Sequence, residues 1–333
     1  MEIMVEVRDL AKTFKNADGT EVHAVKGIDL DIYRGEIFSL LGPNGAGKTT
    51  TISMISGLLQ PTRGEAKIGG YSITQQPLQA KRLMGVVPQE IALYPTLTAR
   101  QNLEFFGKMY GLAGTELARR IDEVLDFIEL SDRQKNRIDT FSGGMKRRVN
   151  IAVGLLHQPE LIYMDEPTVG IDPQSRRRIL DTVMQLRDEY GMTVLYTTHL
   201  MEEAQELSNR VGIIDHGEII ALGTQGDLIQ SVGEEDRLVF KVGEQRVEQG
   251  LIERIKDQTE GVTHVLYDPP GQEGEDPSNV SGLIVVSAKR GRKALPDIIQ
   301  LTDKAGIDIH SVEVREPDLE AVFLNLTGRA LRD

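Results

Sequence analysis

Over its first 231 residues the chain alternates two textures. Short, nearly unbroken apolar runs are separated by longer segments in which apolar residues return every three or four positions. The runs predict strands at 4–10, 25–32, 36–41, 66–68, 85–87, 161–164, 193–197, 211–215 and 218–222. The helical period predicts helices at 48–58, 99–110, 116–128, 143–157, 174–189 and 201–207. Strands alternating with helices imply a largely parallel sheet covered on both faces, since helices return the chain between parallel neighbours. The earliest strands have few helices between them, which leaves room for a separate antiparallel patch.

Beyond residue 231 the order changes to strand 237–242, helix 247–256, strand 262–267, strand 283–287, helix 294–304 and strand 307–314. A helix at 318–327 closes the chain. This βαββαβ order is the ferredoxin-like arrangement. The intervening "DPPGQEGEDPSNVSG" is expected to be an exposed, mobile hairpin tip. Two domains follow, 1–230 and 231–333, with no internal repeat between them.

The 333 residues suit two domains, and 40% hydrophobic against 27% charged residues is a globular balance. A net charge of −13 argues against a nucleic-acid partner, because phosphate backbones attract basic surfaces. Cysteine is absent, which removes disulfides and thiolate chemistry. The opening "MEIMVEVRDL" lacks the basic-then-apolar layout of a secretory signal, and no run of 18 apolar residues occurs. The expectation is a soluble, acidic protein that serves a membrane, if it does, from the water side.

Two stretches carry phosphate chemistry. "GPNGAGKTT" fits G-x-x-x-x-G-K-[ST] with Gly42, Gly47, Lys48 and Thr49, between an apolar strand and a helix. Glycines let backbone N–H groups close on phosphate oxygens, and the helix N-terminus adds a favourable dipole. Lys48 is placed for β- and γ-phosphates and Thr49 for Mg²⁺; Pro43, Asn44, Gly45, Ala46 and Thr50 complete the nucleotide-binding set. "LIYMDEP" is a buried strand ending in Asp165, a second candidate for Mg²⁺, followed by Glu166, a candidate general base. A second glycine loop, "FSGGMKRRVN", opens another helix but has no lysine placed like Lys48.

That second loop stands some 94 residues after Lys48, and its "FSGGM" resembles the L-S-G-G-Q signature of the ATP-binding cassette (ABC) ATPases. Further marks of that family fall in order. Gln89 in "GVVPQ" is similar to the Q-loop glutamine, His199 in "YTTH" to the switch histidine, and Asp172 in "VGIDP" to the D-loop aspartate. Phe14 in "LAKTF" occupies the place of the aromatic residue that stacks on adenine. The resemblance spans about residues 3–230. It implies a P-loop NTPase cassette of α/β class: a RecA-like parallel core, an antiparallel β patch and a helical subdomain. A small α+β ferredoxin-like domain follows.

The resemblance also implies a purpose for the second loop. Cassettes of this family dimerise head to tail around two ATP, so Ser142 and the amides of Gly143 and Gly144 would cap the γ-phosphate held by a neighbouring subunit. The expected ligands are ATP and Mg²⁺, with Thr49, Asp165 and Gln89 near the metal and Glu166 and His199 catalytic. The expected partners are a second cassette, identical or not, and an integral-membrane permease that keeps the subunit on the cytoplasmic face of the membrane. Residues 93–112 and 316–331 resemble drug and polysaccharide exporter ATPases. The aromatic and apolar content of the first of these suits either a subdomain core or a permease contact. The C-terminal domain, whose His264 and His310 are isolated, reads as regulatory or dimer-stabilising. A soluble ABC regulator or sensor is the alternative function.

Three features depart from the family pattern or lie outside it. Met145 replaces the usual glutamine, and Val169 and Ile171 replace the usual Ser and Leu around the D-loop. Met145 shares a helical stripe with Val149, Ala152, Val153 and Leu156, so packing is its plainest role. The basic runs 146–148 and 176–178 are expected to be solvated helix faces.

Overall fold

A strand reads as a continuous apolar run when both of its faces are covered, and the central strands of this protein are covered on both. The computed structural model describes residues 2–16, 18–232, 236–243, 247–269, 282–289, 291–315 and 318–328. By internal packing the chain parts into two units between Thr224 and Gln225.

The first unit runs β1 (Ile3–Lys15), β2 (Glu21–Tyr33), β3 (Ile37–Leu41), α1 (Lys48–Ile55), β4 (Arg63–Ile68), β5 (Tyr71–Ser72), α2 (Pro77–Arg82) and β6 (Met84–Val87). It continues with α3 (Ala99–Met109), α4 (Gly114–Phe127), α5 (Gly143–Leu155), β7 (Leu161–Asp165) and α6 (Pro173–Tyr190). It ends with β8 (Thr193–Thr198), α7 (Met201–Leu207), β9 (Arg210–Asp215) and β10 (Glu218–Gly223). Two sheets result. The larger has the order β10-β9-β3-β8-β7-β6, parallel throughout except for the β9–β10 hairpin. The smaller, β2-β1-β4-β5, is the antiparallel patch.

Period-two alternation sends the side chains of each central strand into two cores. Ile162 and Met164 of β7, with Val194 and Tyr196 of β8, face one core with Val149 and Ala152 of α5 and Val183 of α6. Leu161, Tyr163 and Leu195 face the other, with Phe38 and Leu40 of β3, Ile52 and Ile55 of α1 and Val5 and Val7 of β1. Because the strands are parallel, their C-terminal ends meet at one edge. The register pairs Leu41 with Thr198 and Asp165 with Thr197, which brings the phosphate loop, the acidic pair and the "TTH" turn together.

β5 and α2 have no counterpart among the predicted elements, and β1 runs five residues past its predicted end. β1 carries register shifts against both neighbours, and Asp9 takes a positive φ of 46°, so the apolar alternation breaks there although pairing continues.

The second unit contains α8 (Gln225–Val232), β11 (Asp236–Val242), α9 (Gln249–Gln258), β12 (Val262–Asp268), β13 (Gly282–Ala288), α10 (Gly291–Lys304), β14 (Ile309–Arg315) and α11 (Leu319–Thr327). Its sheet, β12-β13-β11-β14, is antiparallel at every pairing and has the ferredoxin-like order. Leu238, Phe240 and Val242 alternate inward against Leu251 and Ile255 of α9 and Ala294 and Ile298 of α10. The loop read as a mobile hairpin tip lies, over 270–281, outside the described residues.

Phe240 is fully buried at the centre of that sheet. Phe240→Ala is expected to cost this unit about 3–5 kcal/mol through lost burial and a residual cavity. Amide hydrogen exchange along β11, β13 and β14 reads the loss, and unchanged protection there would contradict the role assigned to this ring.

Candidate active site

The phosphate loop is fixed by what glycine lacks. A Cβ on Gly42 would lie 2.2 Å from the carbonyl oxygen of Ile214 in β9. Gly47 caps α1 at φ 107°, and a Cβ there would lie 2.7 Å from the carbonyl oxygen of Ala24. The loop is thus pressed against two strands. Ala46 is buried, while Asn44 and Gly45 are exposed.

Lys48, only 5% exposed, turns back into this loop. Its Nζ donates to the carbonyl oxygens of Gly42 (2.7 Å) and Pro43 (3.0 Å) and lies 3.0 Å from Glu166 Oε1. Glu166 is equally buried and is the meeting point of the site. Its Oε1 also lies 3.3 Å from His199 Nδ1, and its Oε2 accepts from Gln89 Nε2 at 3.1 Å. Three separated sequence marks therefore converge on one carboxylate.

Asp165 and Glu166 are held by a residue the sequence reading passed over. Thr197 Oγ1 donates to Asp165 Oδ1 (2.7 Å) and accepts the backbone N–H of Glu166 (3.0 Å). As a threonine in an apolar strand it gave only a β-propensity signal. Asp165 Oδ1 also accepts from Thr49 Oγ1 at 3.4 Å, so a hydroxyl and a carboxylate oxygen face each other at the loop. These hard oxygen donors fit Mg²⁺, which is held by one or two protein oxygens together with phosphates and water. No group of three or more His, Cys, Asp or Glu side chains suited to a metal occurs among the described residues.

Behind the "TTH" turn, Glu203 of α7 is buried and accepts from Tyr196 and Thr198 hydroxyls, each at 2.9 Å. Burial, reinforced by this carboxylate, raises the Tyr196 phenol well above its ordinary pKa, so it serves as a donor. Phe14 stands apart on β1, 40% exposed, with Lys12 Nζ 5.3 Å from its ring centre.

The second glycine loop does not join this cluster. Ser142 caps α5, its Oγ accepting the Met145 N–H at 3.3 Å, and both Ser142 and Gly143 are exposed. Gly144 is buried against α6, where a Cβ would lie 2.3 Å from Ser175 Oγ. Gly143 is less tightly placed, its Cβ position in ordinary van der Waals contact, 3.5 Å, with the Ile171 side chain of the D-loop. Asp172 caps α6 by accepting the Ser175 N–H at 3.0 Å, which lowers its carboxyl pKa. Two helix N-termini thus lie side by side with their caps exposed, a geometry that presents N–H groups and positive dipole ends to an anion.

This protein matches the family model described as ABC transporter over residues 25–169. It is 49% identical over 323 residues to the linearmycin resistance ATP-binding protein LnrL of Bacillus subtilis (strain 168), covering 97% of this chain and 99% of the relative. It is 36% identical to the daunorubicin/doxorubicin resistance ATP-binding protein DrrA of Streptomyces peucetius, over 99% and 94% of the two chains. The dimeric structure of a post-hydrolysis state of the ATP-binding cassette MJ0796 bound to ADP and Pi is similar with a TM-score of 0.61. That match is 30% identical and covers 66% of this chain and 98% of the other. The chain is an ATP-binding subunit of the ABC transporter family.

As an ABC subunit it binds and hydrolyses ATP, and its fold is the cassette's mixed α/β P-loop fold. One expectation about its surface fails. Arg147 and Arg148 are buried, 3% and 7% exposed, because Arg147 donates to the carbonyls of Pro88 and Gln89 and Arg148 to that of Ile128. A basic run on a helix reads as solvated unless the backbone carbonyls waiting for it are known, and those come from distant segments. Arg177 and Arg178 are exposed as expected, and Arg176 is half-buried near Glu203. Met145 packs, partly buried, against the core shared with Val149 and Ala152.

Gly144→Ala is expected to destabilise the ABC subunit by about 1–3 kcal/mol, the usual range for forcing a methyl into packed space. Ser175→Gly in the same chain removes the clashing hydroxymethyl and should restore part of the loss. Thermal melting of the single and double variants checks this; equal melting of wild type and Gly144→Ala would contradict the close packing.

Proposed function

We propose that this subunit dimerises head to tail around two ATP, most simply with a second copy of itself, and powers a separate integral-membrane permease in the export direction. The observation that carries the proposal is the convergence of Lys48, Gln89 and His199 on the single carboxylate of Glu166. In that reading the phosphates of ATP replace Glu166 as the partner of Lys48, since a charge-assisted contact to phosphate is stronger than one to a carboxylate shared with two other groups. Glu166, released from the lysine, polarises the attacking water, with His199 and Gln89 orienting it. Pro43, Asn44, Gly45, Ala46 and Thr50 line the phosphates, and Phe14 offers an exposed face to adenine. Thr49 and Asp165, with Gln89 nearby, would hold Mg²⁺, which neutralises charge on the β- and γ-phosphates when bound.

The exposed caps supply the other half of the site. Ser142 and the amides of Gly143 and Gly144 would cap the γ-phosphate bound by the partner, with Asp172 at the dimer contact. Loss of that phosphate weakens the dimer, and the opening is the mechanical output. Membrane attachment through a permease, on the cytoplasmic face, is part of the same reading. No helix among the described residues is long and apolar enough to cross a bilayer. The exposed Tyr94–Phe105 pair, with rings 4.8 Å apart edge to face, suits the permease contact, while Leu103 beneath it is core. Export of an antibiotic-like molecule is favoured by the relatives named for linearmycin and daunorubicin/doxorubicin resistance. The domain from 231 onward would stabilise or regulate the dimer.

Glu166→Gln keeps the shape and removes the base, so turnover at saturating ATP should fall about 10²–10⁴-fold. The same variant should accumulate as an ATP-bound dimer by size-exclusion chromatography, and Ser142→Arg in that background should return it to monomer. Unchanged turnover would refute the base, and a dimer that survives Ser142→Arg would refute the contribution in trans. Lys48→Ala should weaken ATP binding about 10–100-fold, the worth of a charge-assisted hydrogen bond; equilibrium titration with a fluorescent ATP analogue reads it.

A further inference from the structure

Arg147 is buried, and among the described residues no carboxylate is hydrogen-bonded to it, Asp165 acting on it only through its charge. Its Nη1 donates to the carbonyl oxygen of Pro88 at 2.6 Å and its Nη2 to that of Gln89, a planar fork closed on two successive carbonyls. Taking a guanidinium out of water is costly, and an apolar side chain would fasten the same helix to the core with less loss. The fork must therefore secure something packing alone does not. What it secures is the residue whose side chain donates to Glu166 Oε2. At the other end, Arg147 lies one helical turn beyond Gly143 on α5; Ser142 and Gly143 are exposed, Gly144 is buried, Met145 and Lys146 are half-buried, and the helix is buried from Arg147 onward. One hydrogen-bonded turn, about 5.4 Å of helix, separates the exposed cap from the fork, a short path for a displacement at Ser142.

We propose that Arg147 is a positioning residue that couples the two ATP sites of the dimer. Seating of this chain's Ser142 and Gly143 on the partner's nucleotide is relayed through one turn of α5 and the Arg147 fork to Gln89, and so to the Glu166 of this chain's own site. The relay rests on the head-to-tail dimer proposed above. It makes hydrolysis at one site depend on occupation of the other, without any contact between the two nucleotides.

The test uses mixed dimers of the full chain in which one subunit carries Glu166→Gln, so that only the other subunit's base is active. In the active subunit, Ser142 faces only the silent site. Ser142→Ala there should nevertheless lower turnover at saturating ATP by at least about fivefold, the lower end of typical coupling between sites. Arg147→Ala in the active subunit should lower it comparably. The two together should do no more than either alone, because they interrupt one path. Arg147→Lys, which keeps the buried charge without the fork, should give an intermediate loss, and it decides the matter if the alanine variant fails to fold. Full turnover with Ser142→Ala or Arg147→Lys in the active subunit, or losses that multiply in the double variant, would overturn the relay. A merely structural role for Arg147 would multiply with Ser142→Ala. If the Glu166→Gln subunit forms no ATP-dependent dimer even with a wild-type partner, the head-to-tail reading itself fails and the relay with it.

Discussion

Lys48 and Glu166 meet at 3.0 Å in a site that leaves each of them less than a tenth exposed, and the arrangement around them answers the demands of that contact. Breaking a buried ion pair by removing one partner costs about 3–5 kcal/mol, so neither group tolerates loss of the other without a substitute. Lys48 finds two carbonyls of its own loop, and Glu166 finds Gln89 and His199. In the proposed reaction an incoming polyphosphate is that substitute for the lysine. In the same proposal the displaced carboxylate is left among a histidine and an amide, placed to polarise a water. Ground-state stability and readiness for chemistry thus draw on the same few contacts.

The parallel sheet makes those contacts possible. Lys48 follows β3, Glu166 follows β7 and His199 follows β8, and parallel neighbours deliver their C-terminal ends to one edge. Apolar runs that fill both cores fix the register, because a one-residue slip would exchange the residues facing each core. Packing far from the Lys48–Glu166–His199 cluster therefore sets the distances within it. The same logic holds at the second loop, where Gly144 against Ser175 locks α5 to α6 and leaves Ser142 and Asp172 at the surface.

The strands, the long helices, the phosphate loop and the acidic pair were legible in the sequence because each has a local cause: a period, a glycine spacing, an apolar run ending in a carboxylate. The ferredoxin-like order was legible for the same reason, since β11 and β13 alternate cleanly. Apart from the short β5 and α2 and the irregular end of β1, what escaped has a non-local cause. Thr197 matters through an Asp–Glu pair thirty-odd residues away in sequence. Arg147 matters through two carbonyls 58 and 59 residues earlier, and nothing within "GMKRRVN" announces them. Buried arginines that bind backbone carry no periodic sign. They look like solvated charge until the opposing loop is known.

Glu166 carries one further constraint, its backbone. Its φ of 43° is one that side-chain-bearing residues rarely adopt, at a cost on the order of 1–2 kcal/mol. Glycine would relieve that strain but would surrender the carboxylate, and with it the contacts to Lys48, Gln89 and His199. The turn is held instead by the Glu166 N–H on Thr197, whose hydroxyl also binds Asp165. Strain in the backbone is thus balanced by the groups that define the site. The carboxylate therefore leaves a backbone whose course is held by β8 as well as by the turn itself.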